Sequence, residues 1–275
     1  MDLSVVKDLL NKESVSLKLI DKLSDAAGWA LNHKNFDRMA EDEFIKGVQN
    51  SDLDPVAKAI LIRQSRKILK EQSNQDDIIK IALENLKESA TPSNVSNDWI
   101  SQFMDKARLV SDEEFKILWG NILAEECNTP GSVPKALLHI MEHLDKDTAY
   151  IFIKFASVSI NYYDGEKVIY SPVIGNIYDT YFEEKGFKYD DLVELKATGL
   201  IEYDLVGGYY QTSTENSITV NYFDESYTFD VGIDRFNVGQ IIYTKAGNAL
   251  CKAIIAEKIE GFFKEKCISI LKESI

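Results

Sequence analysis

The chain has 275 residues, 45% of them hydrophobic and 28% charged. This is the composition of a folded chain with room for two ordinary domains, and it excludes a disordered one. Its 45 acidic and 31 basic side chains leave a net charge of −14, a field that repels nucleic-acid phosphate and anionic membrane surfaces unless a local basic patch overrides it.

In chain order, the opening MDLSVVKDLLNKESVSLKLIDKL carries charges throughout, so no signal peptide is expected. No apolar run anywhere reaches the length of a membrane-spanning helix. Asp54-Pro55 reads as an N-cap with proline at the first helical position. The helix that it opens is expected to run to about Ala90, with a break near Ser73-Asn74. Thr91-Pro92-Ser93-Asn94 reads as a loop. Ser111-Asp112-Glu113-Glu114 has the form of a capping box, with Ser111 as cap and Glu114 reaching back. Behind it, Phe115, Leu118, Trp119, Ile122 and Leu123 fall on one helical face. That helix stops before Asn128-Thr129-Pro130-Gly131. Ser132 is expected to cap a short helix to about His143, and Asp145 a further helix that is apolar nearly all round.

The composition then changes. All 13 tyrosines lie between Tyr150 and Tyr243, while the three tryptophans and three histidines precede that stretch. Tyrosine favours half-buried sheet surfaces, so a change of fold class is expected near residue 160. Lys167–Tyr170 reads as a short strand, Pro172 to about Glu184 as a helix, and Tyr189–Thr198 as a second helix closed by Gly199. Leu200–Leu205 reads as a strand leading to a turn at Gly207-Gly208. Ser217–Phe223 and Tyr227–Val231 read as a hairpin around Asp224-Glu225-Ser226. After a short strand at Gln240–Tyr243, Thr244 is expected to cap one long helix towards Lys272. LVELKATGLIEY followed later by IIYTKAGNALCKAI resembles a winged-helix domain in pattern. The expected fold is therefore mainly α with an α+β C-terminal part: an N-terminal helical bundle over residues 1–160, then a winged-helix-like domain over 161–275.

The most distinctive stretch runs from Trp99 to Phe155. Its Val110-Ser111-Asp112-Glu113-Glu114 cap, Leu118-Trp119-Gly120 step, Leu123-Ala124-Glu125 and Pro130-Gly131-Ser132 resemble an uncharacterised bacterial family, the domain of unknown function DUF2806. LIDKLSDAAGW, from Leu19 to Trp29, is similar to that family's beginning. The resemblance implies a helical core with a winged-helix-type tail, and it brings an association with mobile elements and phage defence. It lends no activity. Read as packing, Trp119 fills a core between helices, Gly120 permits close helix approach, and Pro130, Gly131 and Ser132 form a turn and a cap.

The sharpest chemical candidate is His139-Ile140-Met141-Glu142-His143, which matches the H-x-x-E-H pattern of zinc metallopeptidases. Two histidines four residues apart share one helical face, and Glu142 would be the base. However, Leu137, Leu138, Met141 and Leu144 define the buried face, so His139, Glu142 and His143 are expected to face solvent. His33, at a helix end, complements the helix dipole. Cys127, Cys251 and Cys267 are far from any CxxC spacing and read as reduced, packed thiols of a cytoplasmic protein. No phosphate-binding glycine loop or nucleophile elbow occurs, so no catalytic residue and no cofactor is expected. The carboxylate pairs Glu125-Glu126 and Asp190-Asp191, and the stripe Arg63, Arg66, Lys67 and Lys70, read as solvated faces.

From Asn161 to Leu250 there are 15 acidic and 6 basic residues, a net charge of 6 − 15 = −9. A winged helix of that charge lacks the cations for phosphate contacts. The expectation is thus a non-enzymatic interaction or regulatory protein with a protein partner or self-association, its tyrosines forming a recognition surface or else packing a small sheet. A zinc hydrolase and a DNA-binding regulator stand as the alternatives.

Overall fold

The computed structural model describes residues 3–29, 37–165, 167–212, 217–230 and 235–273; His33 and Val231 lie outside them. The chain divides into two compact units, Met1–Val133 and Pro134–Ile275.

The first unit contains α1 (Leu3–Ala27), α2 (Asp37–Gln49), α3 (Pro55–Glu84), a single 3-10 turn (Pro92–Asn94), α4 (Asn97–Ala107) and α5 (Glu113–Asn128). In α1, Val15, Leu19 and Leu23 recur every fourth residue and are buried, which places one stripe against α4. The α4 face answers with Trp99, Ile100, Phe103, Met104 and Ala107. Asp54 caps α3 as expected, its carboxylate accepting from the Val56 and Ala57 amides. The helix runs without a break through Ser73-Asn74, because the buried Asn74 amide donates to the Arg108 carbonyl at 2.9 Å instead of competing for its own backbone. It also ends at Glu84, six residues short of the expected limit. The cap of α5 is Asp112, which accepts from the Glu114 and Phe115 amides, and not Ser111. Helix α3 packs along α5.

The second unit contains α6 (Lys135–His143), α7 (Lys146–Ala156), β1 (Ser159–Asp164), β2 (Lys167–Pro172), α8 (Thr180–Glu184), α9 (Tyr189–Ala197), β3 (Ile201–Tyr203), β4 (Tyr209–Thr212), β5 (Ser217–Tyr222), β6 (Glu225–Asp230), β7 (Arg235–Gly239), β8 (Ile241–Tyr243), α10 (Lys245–Ala253), a π-helical turn (Phe263–Cys267) and α11 (Ile268–Lys272). An antiparallel sheet has the order β2-β1-β5-β6, and two-stranded ladders join β3 to β8 and β4 to β7. A mainly helical first part and an α+β second part are therefore present. The division falls at 133/134, so α6 and α7, expected within the helical domain 1–160, pack within the second unit on α10 and α9.

Three further expectations are corrected. Residues 172–184 are not one helix: Val173 donates to Val158 at 3.0 Å and Ile174 bridges Gly239, and a turn in which Asp179 donates to the Asn176 carbonyl at 3.0 Å leads into the short α8. The C-terminal helix is broken, since the Tyr222 hydroxyl accepts from the Ile259 amide at 2.9 Å and donates to the Ser157 carbonyl at 2.7 Å, holding the segment after α10 out of helix. Ser132 does not cap α6, which opens behind Pro134; its hydroxyl donates instead to the Glu125 carbonyl of α5 at 3.4 Å. The β5–β6 hairpin is present with a tighter turn, Tyr222 pairing Glu225 across Phe223-Asp224, and Phe223 takes φ 50° to close it.

Candidate interaction surface

The family-like signature of the first unit is a packing corner. Trp119 is buried against Phe103, 5.3 Å between centroids, and Phe103 stacks on Trp99 at 5.2 Å. Gly120 is where α3 and α5 cross: a Cβ there would lie 2.6 Å from Ile81 Cγ2 and 2.9 Å from the Ile78 carbonyl oxygen. The turn at Pro130-Gly131-Ser132 is held from within. Glu126, buried, accepts from the Gly131 amide through one oxygen and the Val133 amide through the other, both at 2.8 Å, while the Trp99 indole donates to the Val133 carbonyl at 3.0 Å. Gly131 supplies φ +86°. Burial raises the Glu126 carboxyl above its usual range, and the two amide donors act in the opposite sense.

The histidine motif is placed on α6 with His139, Glu142 and His143 all exposed, and the described residues contain no group of three or more His, Cys, Asp or Glu able to hold a metal ion. Arg63, Arg66, Lys67 and Lys70 are exposed along α3; Arg66 pairs with Glu41 at 3.5 Å and Lys67 with Glu71 at 3.7 Å. All three cysteines are buried. Burial pushes the Cys127 and Cys251 thiols up to about 12 and raises Cys267 as well, which removes the thiolate that nucleophilic chemistry needs. Asp191 is buried and accepts from Lys154 of α7, so it braces α9. Asp190 beside it is exposed.

The tyrosines split by position. Tyr162, Tyr222 and Tyr243 are buried in the sheet region, and the Tyr243 hydroxyl meets the Ser159 hydroxyl at 2.8 Å. A second set gathers at the surface where α9 meets β3. Tyr189, in the first turn of α9, and Tyr203, at the end of β3, make an edge-to-face pair with centroids 6.1 Å apart and hydroxyls 3.4 Å apart. That hydrogen bond raises the Tyr203 phenol above its ordinary range, and Tyr178 lies near enough to add to the effect. Lys196 stands 4.9 Å over the Tyr203 ring and 2.8 Å from Glu202. Burial, then the nearby Glu202 and Asp204, raise the Tyr209 phenol.

Three residues after Tyr203, the β3–β4 turn presents Val206, 99% exposed. The turn is fixed: the Asp204 carboxylate accepts from the Val206 and Gly207 amides at 3.0 Å each, and those donors hold its pKa low. Gly208 closes the turn at φ +62°. The sequence marked Gly207-Gly208 as a turn and the tyrosines as surface formers. It did not single out Tyr178, Tyr189, Tyr203, Tyr209 or Val206. The usable signal was local: in Ile201-Glu202-Tyr203 strand alternation buries the first residue and leaves Glu202 out, while Tyr189 opens a helix whose buried residues are Asp191, Leu192 and Leu195.

Among the described residues no helix is long and apolar enough to cross a membrane. No curated protein and no solved structure matches the chain. The model of a family described as protein of unknown function, DUF2806, matches residues 59–266. That span takes in the Trp119–Ser132 corner and nearly all of the second unit, but not the Leu19–Trp29 segment. The chain therefore belongs to the DUF2806 family.

Proposed function

We propose that this protein is a non-enzymatic interaction or regulatory protein, serving phage defence, whose second unit recognises a protein partner through the Tyr189–Tyr203–Val206 surface. The observation that carries the reading is Val206: an apolar side chain 99% exposed on a turn locked by Asp204, three residues along the chain from Tyr203, whose ring pairs with that of Tyr189. Rigid, exposed apolar and aromatic groups bind at low entropic cost, since their geometry is set before the partner arrives. A winged-helix-like assignment for this unit is supported by α8 and α9 leading into β3, by the β3–β8 ladder, and by α10 behind it. In that scheme α9 takes the recognition position, and its exposed Asp190 and Glu194 favour a protein over DNA. The zinc-hydrolase alternative has less support, because His139, Glu142 and His143 are exposed on α6 and a catalytic zinc needs a third ligand and a walled site.

The test is affinity capture from the source cells, with and without phage challenge, comparing wild type with a Tyr189→Ala/Tyr203→Ala variant of equal melting temperature. A protein retained stoichiometrically by wild type and lost by the variant is the expected result. Equal retention by both would refute the assignment of this surface.

A further inference from the structure

We infer that the surface at Tyr189, Tyr203 and Val206 takes a cationic segment of its partner, one that presents an arginine beside an apolar side chain. This rests on the interaction reading above and specifies the partner's chemistry. The surface already holds one cation in the required manner. Lys196 of the same chain sits 4.9 Å over the Tyr203 ring while its ammonium pairs with Glu202 at 2.8 Å. A tyrosine face attracts a cation through its quadrupole, and an adjacent carboxylate supplies the opposing charge. Tyr189 is 40% exposed, and its ring meets that of Tyr203 at 77°, an edge-to-face arrangement that leaves aromatic surface open to solvent.

Charge points the same way. The stretch from Asn161 to Leu250 carries 6 − 15 = −9; the exposed Asp190, Glu202 and Asp204 adjoin Tyr189 and Tyr203 in the chain, with the exposed Lys188 on the other side of Tyr189. Lys196 and Glu202 cancel each other, so the attraction comes from the −9 carried by residues 161–250, which favours an incoming cation and repels an acidic or phosphorylated segment. Arginine is favoured over lysine because a planar guanidinium stacks on a ring and still donates to a carboxylate. Val206, exposed three residues after Tyr203, supplies the apolar contact, which a purely polar segment would leave unused.

The experiment titrates the full chain with labelled short peptides on one glycine–serine background, bearing Arg plus Leu, Lys plus Leu, Glu plus Leu, or Leu alone. The Arg-Leu peptide is expected to bind about fivefold or more tighter than the Leu peptide, and its binding to weaken between about 50 and about 300 mM salt. Tyr203→Ala is expected to lose about the same factor and Tyr203→Phe to keep it, since the ring face remains. Equal binding of the Glu-Leu peptide, unchanged Arg-Leu binding by Tyr203→Ala, or binding by none of the peptides overturns the inference. The broader surface assignment is judged separately by capture: loss of a captured partner in the tyrosine variant, together with peptide failure, leaves the surface standing and removes only the cationic partner.

Discussion

Glu126 shows how a single buried charge is justified by its donors. Each carboxylate oxygen takes one backbone amide of the Gly131–Val133 turn at 2.8 Å. A Glu126→Gln chain keeps the size but sets an NH2 group against one of those amides, and is expected to lose about 1–3 kcal/mol. The sign of the pH dependence is set by burial, which raises this carboxyl in the folded chain. The folded chain then holds the proton more tightly than the unfolded one. The stability that wild type draws from this group is therefore greatest below the ordinary carboxylate pKa and declines as pH rises through the raised one, a pH dependence that Glu126→Gln, with nothing to titrate there, lacks. Urea midpoints for both proteins from acid to neutral pH check this. The thiols give a second residue-scale expectation. With Cys127 and Cys251 pushed up to about 12 and all three cysteines buried, a disulfide reagent at about pH 8 should find no reactive thiol until denaturant unfolds the unit that buries it. Rapid native labelling would contradict that burial.

At the scale of elements, α3 packs against α5 with no room for a side chain at Gly120. Gly120→Ala places a methyl 2.6 Å from Ile81 Cγ2 and 2.9 Å from the Ile78 carbonyl oxygen. The side chain of Ile81 can move but the Ile78 backbone cannot, so a loss of about 1–3 kcal/mol is expected; a melting temperature equal to wild type would show that the helices separate freely. Much at this scale was legible from residues. Asp54 and Asp145 declared their caps, and Gly199 its helix end at φ +80°, because those signals are local. The misreadings arose where a distant partner decides. Asn74 looked like a breaker until the Arg108 carbonyl took its amide. The C-terminal helix looked continuous until the Tyr222 hydroxyl captured Ile259. β1 was hidden because Ser159–Asp164 comes after an apolar helix without a turn residue, and its identity comes from pairing with β2 and β5.

At the scale of the whole chain, composition located a change of character near residue 160 but not the division at 133/134. Tyrosine content tracks sheet, and a unit can begin with helices. The packing of α6 on α10 and of α7 on α9, with Lys154 donating to Asp191 and to the Gly186 carbonyl, ties those helices to the rest of the second unit. A fragment 134–275 is therefore expected to give a cooperative thermal transition, while 161–275, lacking both helices, is not; a cooperative 161–275 would reinstate the compositional boundary. The interaction surface was legible only as a tendency, an excess of tyrosine on an acidic background. Which tyrosines stay outside depends on the register of β3 with β8, where Ile201 faces Tyr243, and no local pattern states that register. The most direct test of the proposed surface is site-specific photocrosslinking in the source cells, with the reactive side chain at position 206 or, as control, at 163, an exposed tyrosine on β1. A single discrete adduct from 206 and none from 163 is the predicted result. Equal adducts from both positions, or none from 206, would contradict a binding surface at Tyr189, Tyr203 and Val206.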